Sequence, residues 1–336
     1  MKLLLVGEFI PFRIEFSYYS AFMSLGMNVL YFNLPIVSRF IRPFCEYIIN
    51  LRLLRYTNEI QPDLILIFKG YYLKPETIMK IKKISKCLIF CFNPDDPFNI
   101  YFLGSSHNNI LEAIPYYDCY FTFSRYLMER IKQKGAKKVE YLPFGFDPNI
   151  HYPVKVSDEE RIKYAHDVAF IGNWSPERED YLSELLEFDL GIWGEKYWRK
   201  LCKDKNLKKR WQKKAVYGVE QSKVLNSSKI ALNILRAQNK GSHNMRTFEL
   251  PACGVFVISE KSPEIEDFFK EDEEIVLFSS KPELKEKINY YLKNETKRKE
   301  ISYRGFRRCI ESDYTYKARA KKILEVFECL KNIKLL

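Results

Sequence analysis

The sequence predicts an α/β protein made of two doubly wound domains, each with a parallel sheet covered by helices. Short apolar runs alternate with longer amphipathic stretches, which is the pattern of βαβ units. The chain has 336 residues, which is enough for two domains at the usual ~100–200 residues each. A hydrophobic content of 46% excludes a disordered or fibrous protein. We therefore expect two domains that face a cleft.

Six strand-sized apolar runs occupy the first half of the chain, and a helix over Ser124–Gly135 separates the last two. They are Lys2–Gly7, Met27–Asn33, Asp63–Phe68, Cys87–Phe92, Cys119–Phe123 and Val139–Phe144. These runs predict an N-terminal domain over residues 1–152. The following stretch, 153–166, carries Pro, Asp and Lys with little apolar periodicity, and it predicts a linker.

The alternation resumes after this linker and predicts a C-terminal domain over residues 167–312. Its strand-sized runs are Asp167–Gly172, Phe188–Trp193, Val216–Val219, Ile230–Ile234, Gly254–Ser259 and Glu274–Phe278. Its helices are predicted at Pro176–Glu187, Val219–Ser227, Asn244–Ala252 and Pro282–Asn294. In residues 313–336, apolar side chains recur at helical spacing, which predicts a closing helix that packs back on the N-terminal domain.

Composition and motif spacing argue against nucleic-acid binding, membrane spanning, metal binding and dinucleotide binding. The 55 Lys+Arg and 43 Asp+Glu give a net charge of +12, but the basic residues are dispersed and no RNA or DNA motif occurs, so nucleic-acid binding stays an alternative only. No apolar run reaches the ~18 residues of a membrane span, which predicts a cytoplasmic protein. The eight cysteines lack zinc-type spacing, and no GxGxxG fingerprint is present. We expect no metal and no dinucleotide cofactor.

The segment from Asn244 to Gly254 is the most informative about chemistry. A helix that begins near Asn244 would offer unpaired N–H groups to an anion, and Arg246 adds a guanidinium suited to phosphate. Glu249, about one turn further on, offers a carboxylate to a pair of sugar hydroxyls. The alternative is a plain amphipathic helix with Asn244 as its N-cap, Glu249 in solvent and Gly254 as its C-cap.

Two turns are predicted at the same edge of the second sheet. Gly172 and Asn173 follow the first strand of the second domain, at the carboxyl edge where open α/β sheets bind ligands. Gly172 permits close backbone approach, and Arg178 can reach an anion. Trp193 and Gly194 end the next strand, where a nucleobase can stack or bind the backbone.

The order of these motifs, together with Asn233, resembles the GT-B nucleotide-sugar glycosyltransferases, specifically the CgeB-like spore-maturation group related to families 1 and 4. The similarity covers roughly Asp167–Tyr316 and includes the closing segment Asp313–Arg319. The first half is similar only in general layout. The resemblance implies a GT-B fold of two Rossmann-like domains, with a nucleotide diphosphate sugar bound by the second domain as co-substrate and no separate cofactor.

The resemblance also implies roles for individual residues, with Glu249 toward the ribose and Arg246 toward the diphosphate. One departure concerns the donor sugar: family 4 enzymes carry two glutamates eight positions apart, but Gly241 stands eight positions before Glu249. Donor identity and stereochemical outcome are therefore open. The predicted donor-binding residues are Gly172, Asn173, Arg178, Trp193, Gly194, His243, Asn244, Arg246, Thr247 and Glu249.

Candidate residues for the acceptor lie in the first domain. Asp95 and Asp96 follow an apolar strand, and a carboxylate there can deprotonate an acceptor hydroxyl if its pKa is tuned, so both are predicted as catalytic. The alternative is a turn, since Asn, Asp and Pro are common turn formers. Glu8 and Arg13 lie in the loop after the first strand and are predicted to bind the acceptor.

A basic and aromatic stretch, Arg39–Arg55, predicts either peripheral contact with an anionic membrane or a domain helix with a solvated basic edge. We therefore expect a metal-independent, hexosyltransferase-like enzyme of cell-surface glycan biosynthesis, either free in the cytoplasm or peripheral on the inner membrane face. Its acceptor would be a glycan, a lipid-linked glycan or a protein. A GT-B scaffold that binds nucleotide sugar without transferring it is the alternative, because the first glutamate is missing.

Overall fold

The chain forms two parallel sheets. The structure is a computed structural model, and it describes residues 1–35, 42–99 and 107–335. The chain divides into two units. Unit 1 comprises Met1–Phe144 with Tyr316–Leu336, and unit 2 comprises Gly145–Thr315. The predicted α/β class is confirmed, because each unit is a parallel sheet accompanied by helices.

Unit 1 has a six-stranded sheet in the order β2-β1-β3-β4-β5-β6. Its strands are β1 (Lys2–Gly7), β2 (Asn28–Asn33), β3 (Leu64–Phe68), β4 (Leu88–Asn93), β5 (Cys119–Thr122) and β6 (Val139–Tyr141). The central strands β3 and β4 are buried at every position, as expected for parallel strands covered on both faces. Their apolar runs are therefore continuous and do not alternate with polar residues.

The helices of unit 1 come from both ends of the chain. They are α1 (Ile14–Ser24), α2 (Arg42–Ile60), α3 (Pro75–Ile84), α4 (Asn108–Ala113), α5 (Arg125–Gln133) and, from the C-terminal part, α15 (Tyr316–Leu335). On α15, Tyr316, Ala320, Ile323 and Phe327 are buried. The Tyr316 ring lies 5.2 Å from that of Tyr18 on α1. The closing helix is thus part of the core of unit 1.

Unit 2 has a five-stranded sheet in the order β11-β10-β9-β7-β8. Its strands are β7 (Val168–Ile171), β8 (Leu190–Trp193), β9 (Ile230–Asn233), β10 (Val257–Glu260) and β11 (Val276–Phe278). Its helices are α6 (Asp158–Tyr164), α7 (Pro176–Leu182), α8 (Tyr197–Leu201), α9 (Lys205–Arg210), α10 (Gly218–Ser227), α11 (Arg246–Ala252), α12 (Pro263–Phe268), α13 (Lys281–Lys293) and α14 (Glu295–Glu311).

The division differs in detail from the predicted domains. The first unit ends at Phe144 and not at residue 152, and residues 145–166 belong to unit 2. The predicted linker 153–166 contains α6, whose start is fixed by a capping box between Ser157 and Glu160. This local polar signal is independent of apolar periodicity, so the periodicity did not reveal the helix.

One predicted strand, Val216–Val219, is wrong. α10 begins at Gly218, which adopts a positive φ of 58° after the N-cap residue Tyr217. Val216 is buried while it lies outside any strand. A short apolar run therefore marked a loop with one buried side chain, since Tyr217 beside it is 48% exposed.

Candidate functional site

The carboxyl ends of four parallel strands lie side by side in unit 2. Ile171 of β7 is opposite Trp193 of β8, and Asn233 of β9 is opposite Ser259 of β10. Because the strands run in the same direction, the residues that follow them meet at one edge of the sheet. We call this the carboxyl edge of unit 2, the position where open α/β sheets bind ligands.

The turns after β7 and β8 form one closely bonded structure. The Gly172 carbonyl accepts from the Trp198 indole N–H at 2.8 Å, and Asn173 Oδ1 accepts from the Glu195 N–H at 3.0 Å. A Cβ on Gly194 would lie 2.2 Å from the Gly172 carbonyl oxygen, so glycine is required there. The side chain of Trp193 is only 1% exposed. The N–H and carbonyl groups of Gly172 and Gly194 are therefore hydrogen-bonded within the protein, and the Trp193 ring is buried.

Arg178, on α7, is buried at this edge. Its Nε donates to the Ile234 carbonyl at 3.1 Å, and its Nη1 donates to the Asn173 carbonyl at 2.9 Å. Burial lowers the pKa of Arg178 well below its usual value, and the positive charges of Arg236 and Arg246 lower it further, while two nearby carboxylates partly offset them. An arginine stays protonated at neutral pH. Arg236 and Arg246 therefore lie close enough to Arg178 for their positive charges to repel its guanidinium group.

Arg246 and Glu249 lie together at the start of α11. Arg246 Nε donates to the Ile171 carbonyl at 3.1 Å, and its Nη1 forms an ion pair with Glu249 Oε2. Glu249 is only 2% exposed, so the alternative with Glu249 in solvent is wrong. Because α11 has only seven residues, the side chains and not the helix dipole supply the local charge.

A buried amide network holds the beginning of α11 against the sheet. Asn244 Nδ2 donates to Asn233 Oδ1 at 2.8 Å, and Asn244 Oδ1 accepts from the Thr247 N–H at 3.2 Å, as expected of an N-terminal cap. Asn233 Nδ2 also donates to Ser259 Oγ at 3.1 Å. Asn244 and Thr247, both predicted to bind the donor, thus orient the segment that carries Arg246.

His243, another predicted donor-binding residue, is fully buried. Its Nδ1 lies 2.7 Å from Glu264 Oε2, which also accepts from the Ser242 hydroxyl at 2.8 Å. The rings of Phe248 and Phe268 lie 5.4 and 5.1 Å from the imidazole. The structure therefore places His243 in the core of unit 2, against Phe248 of α11 and Phe268 of α12.

His151, which is not among the predicted site residues, contacts the predicted site. Its Nε2 lies 3.6 Å from Glu249 Oε1, and its Nδ1 accepts from the Asp147 N–H at 3.2 Å. Burial is the main cause that lowers the pKa of His151 below 6.5. Both His151 and Glu249 belong to unit 2. The histidine was missed because its partner lies in a distant segment of the chain.

The carboxyl edge of the unit 1 sheet carries the predicted catalytic aspartates. Asp95 Oδ2 lies 2.5 Å from Lys69 Nζ, and its N–H donates to Asn93 Oδ1 at 3.0 Å. Asp96 Oδ1 accepts from the Phe98 N–H at 2.9 Å, which is an Asx turn. Burial raises the pKa of Asp96. Asp96 is therefore a turn residue, as the alternative predicted, and it also has a carboxyl group with a raised pKa.

Two further acidic groups follow β1 in unit 1. Glu8 forms an exposed ion pair with Arg13, and these are the predicted acceptor-binding residues. Glu15, in the first turn of α1, was not predicted: burial raises its pKa from 4.5 to about 7. A Cβ on Gly7 would lie 2.8 Å from Glu15 Cγ, so a glycine makes room for this carboxyl.

The basic and aromatic stretch forms most of α2. Arg39 and Phe40 lie outside the described residues, and the helix begins at Arg42. Phe44, Tyr47 and Leu51 are 69%, 59% and 48% exposed. Across the described ranges, no helix has the length and apolar character needed to cross a membrane. Within the same ranges, no three His, Cys, Asp or Glu side chains are grouped so as to hold a metal ion.

Comparison with known proteins gives one family match. Residues 178–325 match the family model described as "Glycosyl transferase-like". This span contains Arg178, Arg236, Arg246 and Glu249, whereas His151 precedes it. No curated protein sequence matches the chain.

Solved structures are similar over nearly the whole chain. Anabaena HepE in complex with UDP-glucose matches with a TM-score of 0.67 at 12% identity, over 98% of this chain and 100% of that one. Sucrose-phosphate synthase from Thermosynechococcus elongatus matches with a TM-score of 0.75 at 13% identity, over 99% and 100%. Trehalose 6-phosphate synthase from Burkholderia multivorans matches with a TM-score of 0.68 at 9% identity, over 99% and 97%. The chain therefore has the predicted GT-B glycosyltransferase fold.

Proposed function

We propose that this protein is a glycosyltransferase that moves a sugar from a nucleotide diphosphate donor to an acceptor. One observation carries the proposal: the Arg178 and Arg246 guanidinium groups donate to carbonyls at the carboxyl ends of β9 and β7, inside the span that matches the glycosyl transferase-like family. The positive charge of Arg236, which follows β9, also acts on Arg178. A diphosphate would relieve their mutual repulsion. The guanidinium groups would also stabilise the negative charge that develops on the leaving diphosphate in the transition state. Arginines can supply that charge, so we propose transfer that does not depend on a metal.

Glu249 is the proposed ribose-binding group. A carboxylate can accept hydrogen bonds from both ribose hydroxyls. An arginine cannot, because its guanidinium group has donors and no acceptor. At present Glu249 Oε2 is paired with Arg246. A diphosphate carries more negative charge than one carboxylate and can draw Arg246 toward itself, which would open Oε2 to the sugar.

The test of donor binding is a thermal-shift panel of nucleoside diphosphates, with UDP first because HepE is solved with it. A ligand at one hundred times its Kd stabilises the folded protein by ~2.7 kcal/mol. We expect one base to give a clear shift, with the free nucleoside and inorganic pyrophosphate giving smaller ones. The absence of any shift across the panel would reject the proposal.

Turnover separates the enzyme from a scaffold that only binds nucleotide sugar. The responding nucleotide is supplied as its glucose, galactose and N-acetylglucosamine conjugates, and the release of nucleoside diphosphate is followed over time. An enzyme should consume at least one conjugate, by slow hydrolysis alone or faster with added acceptor. Tight binding without consumption in the presence of glycan, lipid-linked and protein acceptors would favour the scaffold.

We propose that unit 1 binds the acceptor. Glu8 and Arg13 offer both a carboxylate and a guanidinium at the carboxyl edge of its sheet, and Asp95 and Asp96 follow β4 at the same edge. Carboxylates are suitable partners for the hydroxyls of a glycan, a lipid-linked glycan or a glycosylated protein. The same chemistry suits an acceptor of cell-surface glycan biosynthesis.

We also propose that α2 contacts an anionic membrane surface. Phe44, Tyr47 and Leu51 are exposed, and Arg52 and Arg55 lie exposed beside them. Such a face combines apolar side chains with cations that anionic lipids attract. The protein should co-sediment with vesicles containing phosphatidylglycerol, and F44S/L51S should reduce this binding without lowering the melting temperature. Equal sedimentation of both proteins would reject the contact.

A further inference from the structure

We infer that His151 is a positioning residue of the nucleotide site, one that holds Glu249 Oε1 so that Oε2 is presented to the ribose. The inference rests on the proposed function, since it assigns a role within the donor site of unit 2. It concerns a residue outside the span matched by the family. It is carried by the geometry of the contacts around the Glu249 carboxylate.

The hydrogen-bond partner on Nδ1 fixes the tautomer of His151. The Asp147 N–H donates to Nδ1 at 3.2 Å, so Nδ1 carries the lone pair and the neutral ring has its proton on Nε2. Nε2 lies 3.6 Å from Glu249 Oε1. This distance is slightly beyond hydrogen-bond range, and a small rotation of either side chain brings the N–H onto the oxygen. The ring is therefore a donor aimed at one oxygen of the carboxylate.

The backbone around His151 is fixed on several sides. Its own N–H donates to the Asp147 carbonyl at 2.8 Å, which closes a tight turn. The Ser222 hydroxyl on α10 donates to the Ile150 carbonyl at 3.3 Å. A Cβ on Gly254, at the end of α11, would lie 2.9 Å from Pro153 Cγ. The turn is thus hydrogen-bonded to α10 and lies close to the residue that follows α11, so the backbone that carries the imidazole is held beside Glu249.

The two oxygens of Glu249 have different partners. Oε2 is paired with Arg246, and Oε1 faces His151. The carboxylate is almost fully buried, and buried polar groups in proteins are hydrogen-bonded. When a diphosphate draws Arg246 away, His151 still supplies an N–H to Oε1. Oε2 is then free to accept from ribose, and the carboxylate keeps its orientation.

This division of roles makes a specific expectation. His151 should affect how strongly the site prefers ribose to deoxyribose, and it should not affect the binding of phosphate groups. A residue that only supports the fold would weaken all ligands together. The ratio of the Kd values for 2′-deoxy-UDP and UDP therefore reports the positioning role, and pyrophosphate affinity is the internal reference.

The experiment is isothermal titration of the full chain with UDP, 2′-deoxy-UDP and pyrophosphate. His151→Asn removes the group at the Nε2 position, whereas His151→Gln reaches further and places an amide N–H close to it. We expect His151→Asn to lower the preference for UDP by roughly three- to tenfold, the factor for one hydrogen bond. We expect His151→Gln to keep most of the preference, and both variants to bind pyrophosphate as the wild type does.

A matched control is His166→Asn, the same change at a histidine of unit 2 whose partner is Asp189. It should leave the preference unchanged, and melting curves identify any variant that fails to fold. If another base responds in the thermal-shift panel, its diphosphate and the 2′-deoxy analogue replace UDP in this titration. If the wild type binds no nucleoside diphosphate of the panel, the proposed function fails and the inference fails with it. If the wild type prefers UDP and His151→Asn keeps the same preference, the inference alone is overturned.

Discussion

At the scale of single residues, Arg246 has two partners that a ligand can replace or share. It donates to the Ile171 carbonyl and forms an ion pair with Glu249. We predict that Arg246→Ala weakens the binding of UDP at least tenfold while uridine binding changes little, because hydrogen bonds to charged groups contribute about 1.5–3 kcal/mol. Titration calorimetry with both ligands measures this. Equal losses for nucleoside and diphosphate would remove Arg246 from the phosphate site.

Arg246→Lys provides the companion measurement. Lysine keeps the charge but loses the planar fork that binds two oxygens, so its affinity for UDP should fall between those of the wild type and Arg246→Ala. A lysine variant as weak as the alanine variant would show that the fork, and not the charge alone, is required.

The two aspartates after β4 should differ in their effect on turnover. Asp95 lies 2.5 Å from Lys69, whereas Asp96 lies 3.9 Å from Arg130 and has a pKa that burial raises. We predict that Asp96→Asn lowers the transfer rate at saturating donor by roughly 10²–10⁴-fold, the usual contribution of a general base. Asp95→Asn should have a smaller effect. Near-normal rates in both variants would show that this loop holds no base.

Some residues of the candidate donor site could be predicted from the sequence, and others could not. Arg246 and Glu249 could be identified because both belong to one short segment whose helical spacing places them near each other. His151 and Arg236 could not, because their neighbours come from distant segments that only the folded sheet brings together. The burial of Trp193 and His243 was hidden for the same reason, since burial depends on what packs from elsewhere in the chain.

At the scale of elements, the first turn of α1 predicts a pH-dependent stability. The raised pKa of Glu15 means that the folded state disfavours its ionised form. Below pH 4.5 the carboxyl is protonated in both the folded and the unfolded state, so the protein keeps its full stability. The free energy of unfolding then falls as the pH rises through about 7, because the carboxyl ionises less readily in the folded state. We predict that the change in the free energy of unfolding caused by Glu15→Gln is about 1–3 kcal/mol more favourable at pH 8 than at pH 4.5, because glutamine cannot ionise. Urea unfolding at a series of pH values measures the difference.

The control for this pH series is Glu76→Gln. Glu76 also lies in the first turn of a helix, α3, but it is exposed to solvent. Its effect on stability should therefore be small and nearly the same at both pH values. If Glu15→Gln behaves like Glu76→Gln, the Glu15 carboxyl is not destabilised by its surroundings.

Elements were predictable where one local signal was dominant. β1 was predicted with its exact bounds, Lys2–Gly7, because four consecutive apolar residues lie between a lysine and a glycine. The strand predicted at 216–219 is wrong because a loop and the first turn of α10 together have the same short apolar pattern as a strand. α6 was taken for a linker because a seven-residue helix shows too few turns for apolar periodicity to appear.

At the scale of the whole molecule, the residues assigned to the donor site all lie in unit 2, which is one continuous stretch of chain. We predict that a fragment of residues 145–315 folds alone and binds UDP within about threefold of the full chain, because its sheet and core are complete. Circular dichroism and calorimetry test this. A fragment that is unfolded, or folded without affinity for UDP, would contradict it.

The matching fragment of unit 1 should behave differently. Residues 1–144 lack α15, whose Tyr316, Ala320, Ile323 and Phe327 are buried in the intact protein. Without this helix, apolar surface on α1 is left uncovered, and we expect the fragment to aggregate or to unfold readily. Adding residues 316–336 to it through a flexible linker should restore a cooperative unfolding transition.

The interrupted path of unit 1 has a consequence for synthesis on the ribosome. Domains generally fold in the order in which they emerge, at ~5–20 residues per second. Here the first residues made must wait for α15, which emerges only after all of unit 2 has been translated. That delay is on the order of 10–30 seconds at the same rate. The later unit can therefore reach its native state before the earlier one, and the nascent N-terminal half is the part that would depend on a chaperone.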